Sequence, residues 1–255
     1  MGLLDGKRAL IIGVANDHSL AWGIAKAFHR EGARLAFSYG AENLERRVGP
    51  LAETLGVEVV KRCDVGNDRE IAALFERLGQ TWDQLDILVH SVAFAQRDDL
   101  KNRFIDTTRS GFQLALDVSA YSLIGLARAA ETMMAPSGAM LTLTYYGSEK
   151  VLPGYNVMGV AKAALEASVR YLAWELGERG VRVNAISAGP VRTLSSAAVS
   201  GFREMLHHHA ERSPLRRNIT TTEVADTAVF LCSDHAAGIT AEIVHVDAGY
   251  NVVGA

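Results

Sequence analysis

The chain has 255 residues, 49% of them hydrophobic and 22% charged, enough apolar side chain for a large core within one α/β unit. Its formal charge of −3, from 26 basic and 29 acidic residues, excludes a general electrostatic pull toward nucleic acid or an anionic membrane. The start MGLLDGKRALIIG fits neither a signal peptide nor a membrane span, and Cys63 and Cys232 lack metal-ligand spacing and read as reduced, buried thiols, so the expected setting is the cytoplasm.

In chain order, short β-rich runs alternate with segments of helical period. ALIIG (9–13), ARLAFSY (33–39), VEVVKR (57–62), DILVHS (86–91), AMLTLT (139–144), VRVNAIS (181–187) and EIVHV (242–246) read as strands. Several are almost wholly apolar, as strands covered on both faces are. Helical periods fall near 21–31, 42–55, 68–81, 111–134, 155–178 and 222–232. The alternation predicts a single Rossmann-like, doubly wound α/β domain over 1–255, its seven-stranded parallel sheet flanked by helices. One long stretch, 188–217, resists assignment, and a substrate flap is placed there at about 190–214.

The strand ends carry the polar and small residues. After the first strand, GVANDHSLAWGIAKAF sets Gly13 and Gly23 around a loop and a helix start, where glycine admits a pyrophosphate and free N–H groups attract its charge. The spacing departs from G-x-G-x-x-G, and an ordinary turn with Ser19 as helix N-cap reads equally well. Strand three ends in Asp64 and Val65, strand four in Ser91, Val92 and Ala93. Open α/β sheets bind ligands outside these carboxyl ends, so the positions support one another as a dinucleotide site.

The same segments carry a resemblance. GVANDHSLAWGIA, CDV, SVAFA, LTYYGSEKVLPGYNVMGVAKAALEASVRYLA, GVRVNAISAGPVRT, SPLRRNIT and TAEIVHVDAGY, within residues 7–250, resemble the short-chain dehydrogenase/reductase superfamily and closely its enoyl-acyl carrier protein reductase branch. The resemblance implies a homotetramer, a reduced nicotinamide cofactor and a trans-2-enoyl thioester delivered on acyl carrier protein. It also implies that Leu20 belongs to the cofactor site, that Ala93, Phe94 and Phe202 line the substrate, and that Tyr145 is a second active-site tyrosine. Val191 is expected to bond the nicotinamide carboxamide through its backbone and Thr193 a phosphate, on a loop opened by Gly189 and Pro190.

Two tyrosine–lysine pairs compete for the chemistry. Tyr146 and Lys150 are four apart, the spacing with which carbonyl reductases of the superfamily set a cation beside a phenol. Gly147 inside the pair and Pro153 after it oppose a continuing helix, so this pair reads as a loop coincidence. Lys162 opens a strongly periodic helix, with Met158, which donates no proton, four residues before it and Tyr155 seven before it. Seven steps of ~100° bring Tyr155 back to the face of Lys162 two turns away. In enoyl thioester reduction the hydride goes to C3 and charge develops on the more distant thioester oxygen, so a displaced phenol suits that chemistry. Tyr155 is assigned stabilisation of the enolate and, as the resemblance implies, Lys162 the nicotinamide ribose.

Basic residues beside the flap, Arg192, Arg203, Arg216 and Arg217, are available to an acidic carrier, although Glu204 interrupts them. His207, His208 and His209 are adjacent in sequence and point ~100° apart on a helix, so they read as a solvated face and no metal site is assigned. Strand two runs into YGAENLERR without a basic residue at its end, which favours NADH, with NADPH possible. The alternatives are a ketone or alcohol oxidoreductase of the same superfamily and a dinucleotide-binding sensor without turnover.

Overall fold

The computed structural model describes residues 1–191 and 202–253. Seven strands pair in parallel: β1 (Arg8–Ile12), β2 (Arg34–Tyr39), β3 (Val59–Arg62), β4 (Leu85–His90), β5 (Met134–Thr144), β6 (Arg182–Ala188) and β7 (Ile243–Val246). Their spatial order is β3-β2-β1-β4-β5-β6-β7. The chain reverses direction across the sheet between β1 and β4, and this switch point opens the crevice in which such sheets bind ligands.

Alternation along each strand feeds two cores. Ala9, Ile11 and Phe37 pack with Ile24 and Phe28 of α1 (Leu20–Arg30), Val48 of α2 (Glu45–Thr54) and Val224 and Ala228 of α9 (Thr221–Cys232). Leu10 and Ile12 face the other way, onto Leu74 and Leu78 of α3 (Asp68–Gly79), Leu126 of α6 (Ser122–Ala130) and Leu165 and Val169 of α7 (Val157–Gly177). Helices on both faces explain why the strands read as continuous apolar runs. Cys63 and Cys232 are buried free thiols, and burial raises both to about 12. None of the helices among the described residues is long and apolar enough to cross a membrane.

Three expectations are corrected. The segment 111–134, read as one helix, is α5 (Arg109–Leu116), a π turn over Asp117–Tyr121, and then α6. The wide turn brings Ser119 beneath the end of β4, where its Oγ accepts from the Phe94 N–H at 3.0 Å. The helical period expected over 155–178 begins only at Val157, so Tyr155 precedes α7. Gly154 (φ 79°) and Asn156 (φ 43°) turn the chain there, and the Asn156 amide donates to the carbonyls of Leu100 and Asn102 at 3.1 and 2.8 Å, at the end of α4 (Arg97–Lys101). Last, the unassigned stretch contains α8 (Phe202–Arg212).

Arg182 holds the far edge together. It is 8% exposed and donates to the carbonyls of Leu231 and Ser233, the last turn of α9, at 2.7 and 3.2 Å, and to Ile239 at 3.3 Å. Replacing Arg182 by Met keeps the bulk and leaves those carbonyls unpaired. The expected loss is about 3 kcal/mol, read as a lower urea midpoint at fixed protein concentration.

Candidate active site

A cavity of about 520 Å³ opens at the carboxyl ends of β1, β4, β5 and β6. Its lining brings together Gly13, Ser19, Leu20, Ser91, Val92, Ala93, Phe94, Tyr145, Tyr155, Lys162, Gly189, Val191 and Phe202. Asp64 and Val65 lie outside that lining, at the end of β3 two strands from β1. Asp64 is exposed and accepts from its own turn, at Gly66 N–H, at 3.0 Å. Thr193 and Arg192, with the flap between 192 and 201, fall outside the described residues.

On the β1 side, the backbone itself is the wall. Gly13 sits at φ 95°, and a Cβ there would stand 2.2 Å from the Ser91 carbonyl oxygen, so only glycine lets the two loops close together. Ser19 is both a cavity residue and the N-cap of α1, its Oγ accepting from Trp22 N–H at 3.2 Å. The first N–H groups of α1 have no partner within the helix and bring a partial positive charge to this end of the cavity. These features fit a nucleotide pyrophosphate.

On the β5 side, the side chains are fixed one by one. Lys162 is 6% exposed, and its Nζ donates to the Leu143 carbonyl at 2.7 Å. Burial lowers its pKa to about 8, with the Glu166 charge opposing the fall, so it is a cation near neutral pH. The Tyr145 and Tyr155 rings meet edge to face, centroids 5.0 Å apart and planes at 77°. Burial raises both phenols well above the ordinary tyrosine range, which keeps them protonated and able to donate. The Tyr145 hydroxyl donates to Met205 Sδ of α8 at 3.2 Å. Tyr146 points away, donating to the Asn251 carbonyl at 3.2 Å and packing on Tyr250, while Lys150 is exposed beyond a short turn at Tyr146–Ser148.

The sequence reading passed over the buried polar residues beneath the cavity. His90 at the end of β4 bonds Thr142 Oγ1 and Ser122 Oγ, each at 2.8 Å. Burial, then the Lys162 charge, depresses it to about 3, so it stays neutral. Thr144 Oγ1 donates to Glu166 Oε1 at 2.6 Å. A glutamate four residues after Lys162 in an otherwise apolar helix face was the available signal.

Two surface readings change. His207 and His208 are exposed, but His209 is 4% exposed and stacks on Tyr250 at 4.6 Å and 23°, because the C-terminal turn covers that side of α8. No cluster that could hold a metal occurs among the described residues. Arg217 forms a two-pronged contact with Glu223 at 2.6 and 3.0 Å, which ties it to the capping box that starts α9.

A family model described as enoyl-(acyl carrier protein) reductase matches residues 13–251. A curated protein of Aquifex aeolicus, named enoyl-(acyl-carrier-protein) reductase (NADH) FabI, is 53% identical, the match covering 100% of this chain and 94% of that protein. A Bacillus cereus enoyl-acyl carrier protein reductase, solved with NADP+ and indole naphthyridinone, superposes with a TM-score of 0.98 at 54% identity over 100% of both chains. An Anaplasma phagocytophilum reductase, solved in complex with NAD, gives 0.96 at 51% identity, over 100% of this chain and 97% of that one.

His209 makes the docking of α8 sensitive to pH. Its pKa is lowered chiefly by burial, and also by His208 of the same helix, against opposing effects of Asp247 and Asn218. The undocked or unfolded state therefore binds the proton more readily, so docking is complete above about pH 6.5 and weakens as the pH falls. The protection factors of the α8 amides, which relate each exchange rate to its intrinsic value at that pH, are expected to fall between pH 7.5 and 5.5. A His209→Leu variant should lose most of that dependence.

Proposed function

This chain belongs to the enoyl-(acyl carrier protein) reductase family, and we propose that it reduces the C2–C3 double bond of trans-2-enoyl thioesters carried on acyl carrier protein, with NADH as hydride donor. This is the last reductive step of the fatty-acid elongation cycle. The observation that carries the reading is the pair Tyr145 and Tyr155, edge to face at 5.0 Å, sharing one cavity with the buried Lys162.

The bound reduced nicotinamide supplies the hydride, which C3 of the enoyl group accepts. The electron pair of the double bond then moves toward the thioester, and negative charge collects on its oxygen. Tyr155 donates its phenolic hydrogen bond to that enolate oxygen, and C2 takes up a proton to complete the reduction. Tyr145 faces the same space from the strand side and steers the thioester. Lys162 binds the ribose hydroxyls and adds a positive field that favours the developing anion.

Around these groups, Ala93, Phe94 and Phe202 form the apolar wall for the acyl chain. Gly13, Ser19, Leu20, Ser91 and Val92 receive the pyrophosphate and adjoining ribose, and Asp64 and Val65 the adenine end. Gly189 and Val191 meet the carboxamide, with Thr193 assigned a phosphate. The end of β2 runs through exposed Gly40 into Glu42, with Arg46 and Arg47 already within α2, which supports NADH over NADPH.

For partners, Arg203 and Arg216 are exposed beside α8 and supply positive charge for an acidic carrier protein. The homotetramer is supported by apolar side chains standing out from one side of the helical layer: Phe112, Tyr121 and Ile124, with Tyr171 and Trp174 of α7 at 76% and 84% exposure. Exposure of that extent on one face marks an interaction surface.

Nicotinamide oxidation is expected with crotonyl and longer trans-2-enoyl thioesters and not with ketoacyl thioesters; the reverse pattern would place the chain among the carbonyl reductases, and no turnover with either would make it a sensor. Parallel titrations should favour NADH. Tyr155→Phe is expected to lower kcat by about 100-fold, Lys162→Ala to raise the Kd for NADH, and Tyr146→Phe to change little. Equal losses in Tyr146→Phe and Lys162→Ala would sink the assignment of the pair. Trp174→Arg is expected to yield a smaller assembly by light scattering.

A further inference from the structure

We propose that Glu166 is a positioning residue for this reduction, its carboxylate holding the Lys162 ammonium charged and in place from the next turn of α7. The inference rests on the role given to Lys162 above and concerns a residue outside the cavity lining.

Glu166 is 7% exposed and Lys162 6%. Charged side chains are seldom buried this deeply without a compensating group. Four residues apart on one helix, the two share a face. Each is tied to β5 by a separate bond: Lys162 Nζ donates to the Leu143 carbonyl at 2.7 Å, and the next residue, Thr144, donates through Oγ1 to Glu166 Oε1 at 2.6 Å. The strand therefore fixes the cation and the anion at a set separation. With the carboxylate bonded to Thr144, its action on the ammonium is through space, where low dielectric makes such action strong.

The other groups facing Lys162 supply no negative charge. His90, from β4, is neutral, its ring held between Thr142 and Ser122. Tyr145 and Tyr155 are kept as neutral phenols by burial, and the Glu166 charge adds to that effect on Tyr155. Burial alone drives the Lys162 amine toward its neutral form, and among the described residues Glu166 is the group that opposes it. One carboxylate thus opposes the loss of the lysine's proton and adds to the burial that keeps the phenol protonated.

Glutamine separates this role from simple packing, because its carbonyl oxygen accepts the same bond from Thr144 at nearly the same shape. The Kd for NADH is measured by fluorescence titration from pH 6 to 9.5. In the unaltered enzyme, affinity should fall as the pH rises through about 8, where Lys162 loses its proton. In Glu166→Gln the fall should begin at a lower pH, giving about fivefold weaker binding near pH 8 and equal binding at pH 6. Glu166→Asp, which keeps the charge, should retain the original midpoint. A Glu166→Gln profile that overlays the original, or that is weaker by one factor at every pH, would falsify the proposal, as would Asp behaving like Gln. The titration uses no acyl substrate. An enzyme inert toward enoyl thioesters whose NADH profile still shifts would overturn the proposed activity and leave the action of Glu166 on Lys162 standing.

Discussion

The site depends on burying one ammonium group. Placing Lys162 under the cavity costs hydration, and the loss is offset by two features: a carbonyl acceptor on β5 and an anion one turn further along α7. Remove the acceptor and the amine loses its direction; remove the anion and it drifts toward its neutral form. His90 must also stay uncharged, because an imidazolium so near would repel the lysine. Its two hydrogen bonds, to Thr142 and Ser122, satisfy both ring nitrogens without requiring a proton on each. The polar floor is thus built from short side chains on β4, β5 and α6 that themselves carry no charge.

The end of β5 organises all of this through the two-residue alternation of a strand. Thr142 reaches His90, Leu143 offers its carbonyl to Lys162, Thr144 binds Glu166, Tyr145 enters the cavity and Tyr146 turns to the opposite side. A one-residue slip would exchange every one of these roles. The register is held by pairing on both sides, His90 opposite Thr142 from β4 and Thr142 opposite Ala185 from β6. A central strand is therefore the right place for the site, since neither edge is free to move.

Fold and cavity were legible because they follow from repeated features. Apolar runs separated by helical periods gave the parallel sheet, and small or polar residues at four strand ends converge on one cavity. What escaped the sequence is set by single backbone events. The π turn at Asp117–Tyr121 has no compositional mark, yet it decides that Ser119 grips the Phe94 backbone. His209 looked like one of three solvated neighbours because burial there comes from Tyr250, 41 positions away. Glu166 was hidden differently: its mark in sequence is its place four residues after Lys162 on an otherwise apolar helix face, and the depth of its turn against β5 supplies the rest.

Tyr155 reaches the cavity by a route other than the one its spacing from Lys162 suggests. Seven helical steps do return to one face, but Tyr155 stands before the helix, on a turn set by Gly154 and Asn156. What brings its ring beside Tyr145 is space. A Cβ on Gly147 would lie 2.3 Å from Tyr155 Cδ1, and one on Gly159 would lie 2.6 Å from the Gly147 carbonyl oxygen. Glycine at both positions lets the turn before α7 close onto the end of β5. The residue that spoils Tyr146 and Lys150 as a helical pair is the one whose missing side chain admits Tyr155. A shorter tyrosine–lysine spacing would place the phenol within α7 itself; on the preceding turn it stands beside Tyr145 in the cavity instead.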